Sequence, residues 1–313
     1  TPHSIKIEVS GAEASAGETV SIKIILLNKF EEKILTDNVT EFSVSVNGSA
    51  VLSAEEGAFN EGGAEINVTN TKPEKVTAEI AVEEYGIKEN IEITFKAGEA
   101  DKIELSGVGK VKAGDMAEIT FTLKDEYGNI VNTDSEAVVI IESALGTKEI
   151  TAEIKDGKGS AEISETKAGV IKLTSVFNGI VSNEIAIEVE AGELARLTAQ
   201  VKENAAAGEN MLVHITGEDE YGNAKNIDDI DISLNLTGSA EVIGDSEILS
   251  EEEIVFTITN TKAEEITITP IAEGIEGVSG IGVFVADTTP HSIKIEVSGA
   301  EASAGETVSI KII

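Results

Sequence analysis

The chain has 313 residues, a formal net charge of −35 at pH 7, and neither cysteine nor tryptophan. A surface this acidic repels nucleic acids and anionic lipids, and the lack of cysteine excludes disulfides, thiolate metal sites and cysteine nucleophiles. The sequence contains no run of 18 apolar residues, so no membrane span is predicted. It also contains no signal-peptide pattern, although a longer precursor can carry a membrane span or a signal peptide.

The first 25 residues occur twice. Residues 1–25 and 289–313 are identical, at an offset of 288 positions. Strand patterning does not require such identity, because many sequences satisfy the same pattern. The recurrence therefore predicts that residues 1–288 form one unit of a tandem array and that residues 289–313 begin the next unit.

A shorter period divides the unit into domains. An Ala-Gly-acid triplet recurs with its glycine at Gly17, Gly114, Gly208 and Gly305, at spacings of 97, 94 and 97 residues. A period near 95 is the size of an independent small domain rather than of a solenoid repeat. We predict immunoglobulin-sized domains at 1–97, 98–191 and 192–288, and the first strands of a fourth domain at 289–313.

Each domain is predicted to consist of half-buried β-strands. Ile5, Ile7 and Val9 alternate with polar residues, which is typical of a strand with one face in a core. The second domain shows seven such segments, at 102–106, 117–124, 137–142, 147–155, 159–164, 170–177 and 183–189. Seven short strands with regular turns predict an all-β, two-sheet sandwich with a core of Ile, Val, Leu and Phe.

The turns and the joins between domains support this interpretation. Asn178-Gly179 and Asp156-Gly157 suit two-residue hairpin turns that need positive φ. The joins contain no long Gly/Ser-rich or Pro-rich linker. We therefore expect the tandem sandwiches to form an extended, fairly stiff rod.

A distinctive turn follows the second long strand of each domain. It is Asp-Glu-Tyr-Gly-Asn in two domains, and its notable residues are Asp125, Tyr127, Gly128, Asn129, Asp219, Tyr221, Gly222 and Asn223. Asp and Asn hydrogen-bond their own backbone in such turns, and Gly supplies positive φ. We expect the aromatic ring to close one end of the sandwich. The first domain keeps an aromatic at Phe30 but lacks the Gly and Asn, which favours a structural role over metal or ligand binding.

This turn, preceded by the Ala-Gly-acid triplet, resembles the bacterial immunoglobulin-like domains of invasin- and intimin-type cell-surface proteins. The resemblance covers residues 1–288 as three copies and residues 289–313 as the beginning of a fourth. It implies an extracellular, cell-surface immunoglobulin-like sandwich used as a spacer or stalk, sometimes with an adhesive tip. The motif is poorly specific for any binding partner.

The sequence offers no recognisable catalytic residues, and we predict a protein that is not an enzyme. His3, His214 and His291 form no Ser/His/Asp or His-x-x-x-His arrangement, and His214 is expected to face solvent. No cofactor or metal residue is assigned. Acidic clusters leave weak calcium binding open, although the EF-hand pattern is absent.

Other modifications and ligands depend on exposed groups. Tyr85 is the best exposed aromatic for a ligand, with an ordinary turn residue as its simpler interpretation. An intramolecular isopeptide bond needs a buried Lys, whereas Lys6, Lys23 and Lys172 alternate with apolar residues and should point outward. Glycosylation sequons begin at Asn38, Asn47, Asn67 and Asn235.

Three functions remain open: a structural surface stalk or filament, an adhesin whose domains bind a host or surface ligand, and a spacer of a secreted enzyme. The predicted partners are copies of the chain itself. Copies would be joined by covalent tandem continuation, which we prefer, or by head-to-tail strand donation between subunits.

Overall fold

The computed structural model describes residues 1–288, 292–299 and 301–313. Regular structure in these residues is β-strand, apart from one 3₁₀ turn at Glu83–Tyr85. None of the helical structure in the described ranges has the length and hydrophobicity that a membrane span requires. His291 and part of the predicted fourth-domain segment, at 289–291 and 300, lie outside the described residues.

The chain forms two compact units, Thr1–Glu190 and Ala191–Ile313. The first unit contains two separate hydrophobic cores, and the second unit contains one. We call the surrounding structures the first sandwich (residues 4–96), the second sandwich (102–190) and the third sandwich (196–285). Each core lies within one of the predicted domain ranges, while the boundaries themselves stay predictions.

The first sandwich consists of two sheets, in the orders β1-β3-β7-β5 and β2-β9-β8-β4-β6. Alternate residues of the long strands point inward, so that Ile22, Ile24 and Leu26 are completely buried. The strands are β1 Ser4–Val9, β2 Glu13–Ser15, β3 Thr19–Leu27, β4 Glu41–Val46, β5 Val51–Leu52, β6 Glu56–Ala58, β7 Gly63–Thr69, β8 Lys75–Val82 and β9 Ile87–Lys96.

The second sandwich is one hydrogen-bonded path, β10-β12-β15-β14-β13-β16-β18-β11, in which the hairpin of β14 and β15 connects the two layers. The strands are β10 Lys102–Gly107, β11 Lys110–Lys112, β12 Met116–Lys124, β13 Ser135–Ser143, β14 Gly146–Lys155, β15 Lys158–Ser164, β16 Gly169–Phe177, β17 Ile180–Val181 and β18 Ile185–Glu190. All seven predicted strands are present. The short strands β11 and β17 were not predicted.

The third sandwich has sheets ordered β19-β21-β26-β24 and β20-β29-β27-β23, with three short strands attached at the sides. The strands are β19 Arg196–Val201, β20 Ala205–Ala206, β21 Asn210–Glu218, β22 Ala224–Lys225, β23 Ser233–Leu236, β24 Glu241–Val242, β25 Glu247–Ser250, β26 Glu253–Thr259, β27 Glu265–Ala272, β28 Ile275–Glu276 and β29 Gly280–Val285.

The beginning of every sandwich divides its pairing between the two layers. In the first sandwich, β1 pairs antiparallel with β3, and β2 then pairs parallel with β9, the last strand. The second and third sandwiches repeat this arrangement, because β11 pairs parallel with β18, and β20 with β29. The second and last strands of each of these three sandwiches are therefore parallel neighbours.

The repeated segment at the end of the sequence forms a two-stranded antiparallel sheet of β30, Ile295–Val297, and β31, Ile310–Ile312. Its register is that of β1 and β3, since Ile295 pairs with Ile312 as Ile7 pairs with Ile24. The expectation of strand structure in this segment is met in its described residues.

Both predicted hairpin turns are confirmed. Asn178 and Gly179 have φ values of 48° and 85°, and Asp156 and Gly157 have φ values of 49° and 75°. Two consecutive residues with positive φ define the turn whose twist matches that of antiparallel strands.

Candidate functional site

The recurrent turn has one backbone geometry in all three sandwiches. We call its copies turn 28–32, turn 125–129 and turn 219–223. In turn 125–129, the N–H of Asp125 donates to the carbonyl of Asn129 at 2.9 Å, and the N–H of Gly128 donates to the carbonyl of Asp125 at 3.0 Å. Gly128 has φ 84°, so the position requires the left-handed conformation that glycine adopts freely.

The Asp125 carboxylate holds turn 125–129 together. Its Oδ1 accepts the N–H groups of Tyr127 at 3.0 Å and Asn129 at 2.8 Å. Its Oδ2 accepts the N–H of Gly98 at 2.9 Å and the side-chain Nδ2 of Asn129 at 2.9 Å. Asp125 is only 3 % exposed, yet each carboxylate oxygen has two donors. These four hydrogen bonds allow the charge to be buried.

The same bonds determine how the carboxyl titrates. Burial acts to raise the pKa of Asp125, but hydrogen bonds from the Asn129 side chain and from three backbone N–H groups outweigh it and lower the pKa. A carboxyl with a lowered pKa in the folded state stabilises the fold above its unfolded pKa, and this contribution is lost as the pH falls through the folded pKa. The turn therefore weakens only below the ordinary aspartate range.

Turn 219–223 repeats these bonds. Oδ1 of Asp219 accepts the N–H groups of Tyr221 and Asn223, both at 2.9 Å. Oδ2 accepts the N–H of Gly192 and the Nδ2 of Asn223, both at 2.8 Å. The predicted turn residues of the second and third domains are thus assembled in the same way.

Turn 28–32 reaches the same geometry with different residues. The Oδ1 of Asn28 accepts the N–H of Phe30 at 2.8 Å and of Glu32 at 3.1 Å. Glu31 occupies the position of Gly128 and has φ 61°. The departure from the motif is therefore accommodated by the backbone, with a neutral amide in place of the carboxylate.

The aromatic residues do not close their sandwiches, contrary to our expectation. Tyr127 is 44 % exposed, Tyr221 43 % and Phe30 69 %, whereas the cores are filled by aliphatic residues and buried phenylalanines. The turn lies beyond the end of the preceding strand, where the Asp125 carboxylate points inward and the Tyr127 ring stands outside the core.

Turn 125–129 contacts the first sandwich, which belongs to the same compact unit. The Nδ2 of Asn129 donates to the carbonyl of Thr71 at 2.7 Å. Tyr127 lies on Gly17, and a Cβ added there would stand 2.6 Å from the Tyr127 Cζ. Sequence reasoning missed these contacts. The Ala-Gly-acid triplet gave no signal for them, because it also recurs at Gly208, where an added Cβ meets nothing within 4 Å.

The turn is poorly suited to bind a metal ion. No group of three or more His, Cys, Asp or Glu residues that could hold a metal occurs in the described part of the chain. In addition, the lone pairs of Asp125 already accept four N–H donors. Calcium at this turn would have to displace bonds that maintain the fold.

The remaining candidate side chains occupy ordinary surface positions. His214 points away from the core as its strand parity predicts, but it is half-buried because its Nδ1 lies 2.6 Å from Oε1 of Glu253. Tyr85 lies in the 3₁₀ turn and is 37 % exposed.

Solved structures with the same fold define the class. No family model matches the chain. The structure of invasin superposes with a TM-score of 0.54 at 18 % identity, covering 99 % of this chain and 67 % of that one. The structure of FdeC, an Escherichia coli adhesin, gives 0.53 at 17 % identity, covering 90 % and 96 %. The sandwiches are therefore immunoglobulin-like, as predicted.

A sequence relative narrows this class. The chain is 26 % identical over 316 residues to the inverse autotransporter adhesin YeeJ of Escherichia coli K12, across 91 % of this chain and 13 % of YeeJ. The chain thus spans only about an eighth of that relative's length. Together these likenesses confirm the predicted resemblance to the immunoglobulin-like domains of invasin- and intimin-type proteins, and the predicted extracellular, cell-surface location. The relatives are adhesins rather than enzymes.

Proposed function

We propose that the chain is a non-enzymatic structural repeat unit of a long surface stalk or filament in a protein of the adhesin class. The observation that carries this proposal is the identity of residues 1–25 and 289–313 at an offset of 288. Both copies form the same antiparallel register, so the repeat is one of structure as well as of sequence. Three immunoglobulin-like sandwiches per repeat add length to a stalk, and this role requires no catalytic residues.

The stalk proposal makes a direct prediction about dimensions. Proteins containing one, two and three copies of the 288-residue unit should increase in maximum dimension linearly with copy number. Small-angle X-ray scattering measures this dimension, and negative-stain electron microscopy provides an independent contour length. A maximum dimension that grows much more slowly than the copy number, as for a compact particle, would contradict a stalk.

Ligand binding by the domains themselves is the second candidate. It is favoured by the relatives, since FdeC is described as an adhesin and invasin as a bacterial integrin-binding protein. In this chain the test is adhesion of the purified protein to host cells and to a glycan array. Specific binding that is lost on Tyr85→Ala and kept on Tyr221→Ala would place the ligand at the Glu83–Tyr85 turn. Absence of binding in both assays would count against this candidate.

Copies of the chain are the partners that the stalk requires, and we propose that they are joined by covalent tandem continuation. Strand donation would require β1 and β3 to leave a core in which Ile22 and Ile24 are completely buried. The mass of the natural surface protein under denaturing conditions distinguishes the two routes. A very large polypeptide agrees with covalent continuation, whereas a subunit of about the mass of this chain, 32.7 kDa, contradicts it.

A further inference from the structure

We propose that Tyr127 and Asn129 form an interdomain lock that fixes the second sandwich against the end of the first. The partner surface consists of Gly17 and the carbonyl of Thr71. This role goes beyond the proposed stalk function, because the lock would set the geometry of this joint whatever the whole protein does.

Shape is the first element of the lock. Gly17 has φ 86° and carries no side chain, and the Tyr127 ring occupies the space that a Cβ would need. Gly208, the equivalent residue of the third sandwich, has φ 94° but nothing within 4 Å of an added Cβ. The close approach at Gly17 is therefore a property of the joint and not of the local turn.

The second element is a hydrogen bond donated by the side-chain amide of Asn129. One Nδ2 hydrogen of Asn129 is used within the turn, toward Oδ2 of Asp125, and the other crosses the joint to the carbonyl of Thr71. The equivalent residue of turn 28–32 is Glu32, whose ionised carboxylate has no hydrogen to donate. Asn129 thus couples the turn that Asp125 builds to the neighbouring sandwich.

Residues 97–101 connect the first sandwich to the second and are held by hydrogen bonds at both ends. These bonds limit the rotation of one sandwich relative to the other. The carbonyl of Lys96 accepts the N–H of Ala16 at 2.7 Å, so the segment leaves the first sandwich from a fixed point. The N–H of Gly98 donates to Asp125, and the N–H of Asp101 donates to the carbonyl of Lys124 at 2.9 Å. Few rotatable bonds remain between these anchors, so two side-chain contacts suffice to select one orientation.

The absence of cysteine makes the lock measurable in the full chain. Cysteines introduced at the exposed positions Glu89 and Glu136 place one spin label on each sandwich. Pulsed electron paramagnetic resonance should give a single narrow distance between the labels. We expect this narrow distance to be lost in Tyr127→Ala and in Asn129→Ala, and to be kept in Tyr127→Phe, which retains the ring.

Phe30→Ala is the matched control, because it removes an aromatic from the same turn geometry in the first sandwich and should leave the distance unchanged. Hydrogen exchange of the second sandwich in each variant verifies that its core is intact. An unchanged narrow distance in both alanine variants, or a broad distance in the parent chain, would overturn the lock. A failure of stalk length to grow with copy number would not affect this result, since the labels report on one joint.

Discussion

Residues 1–25 and 289–313 have the same sequence, and in their described strands β30 pairs with β31 in the register of β1 with β3, but in different surroundings. Their local hydrogen bonds agree closely: the N–H of Ser21 donates to Oγ of Ser10 at 3.0 Å, and the N–H of Ser309 donates to Oγ of Ser298 at 3.0 Å. Burial does not agree. Ile22 is completely buried, whereas Ile310, its copy, is 65 % exposed. Register is thus a property of the two strands, while burial depends on the strands that pack against them.

The largest expected difference between the two copies concerns the core. Ile22→Ala should destabilise the first sandwich by about 3 kcal/mol, because it removes apolar contacts and leaves a cavity. In the 313-residue chain taken alone, Ile310→Ala should change the stability by less than about 0.5 kcal/mol, since the side chain is exposed there. Urea unfolding, monitored by hydrogen exchange, measures the free energy of unfolding of each variant. Equal losses in the two variants would show that Ile310 has a core of its own.

A smaller difference is expected at the glycine of the repeated turn. Gly17 and Gly305 have φ values of 86° and 95°, so alanine costs about 1–2 kcal/mol of backbone strain at either position. Gly17→Ala must also displace Tyr127, whereas an added Cβ at Gly305 meets nothing within 4 Å. The melting temperature of the first sandwich should therefore fall in Gly17→Ala by more than strain alone explains. Gly305→Ala lies outside that sandwich and should leave its melting temperature unchanged, with the strain confined to the segment 301–313. A Gly17→Ala variant that melts like the parent would contradict the contact with Tyr127.

The smallest effect is expected from an ion pair that both copies share. Nζ of Lys6 lies 2.7 Å from Oε1 of Glu8, and Nζ of Lys294 lies 2.6 Å from Oε1 of Glu296. The side chains of both pairs are exposed. Exposed pairs contribute little to stability, so neither Lys6→Ala nor Lys294→Ala should measurably change unfolding. The hydrogen bond from Lys6 lowers the pKa of Glu8, so the pKa measured by NMR should rise toward its ordinary value in Lys6→Ala. A pKa that does not move would exclude the pair in solution.

Most of the fold could be predicted from the sequence because period-two alternation is a local signal. In the second sandwich it located all seven long strands, and Asn-Gly and Asp-Gly located two of their turns. Strands β11 and β17 are too short for alternation to be recognised. The placement of the first two strands in different sheets was not predicted, because it depends on which distant strand is available for pairing.

For the candidate site, the sequence indicated the hydrogen bonds within the turn but not the contacts of the turn with the first sandwich. Asp, Gly and Asn at fixed spacing indicate a turn whose side chains hydrogen-bond its own backbone; in the structure Oδ1 of Asp125 accepts the N–H of Asn129, and Gly128 has φ 84°. The prediction that Tyr127 closes the end of its own sandwich was wrong. A turn sequence carries no information on which neighbouring surface an outward side chain will contact. The partner atoms at Gly17 and Thr71 lie more than 50 residues away and become neighbours only through the fold.

The parallel pairing of the second and last strands determines how each of the three sandwiches carries tension. Glu13 pairs with Thr94 and Ser15 pairs with Lys96, in strands that run in the same direction close to the two ends of the first sandwich. Pulling those ends apart slides one strand along the other, so the hydrogen bonds between them are loaded together in shear instead of being opened one at a time. The same pairing joins Lys110 to Glu188 and Ala205 to Phe284. Every sandwich in this chain therefore places a shear-loaded contact in the path of an applied force.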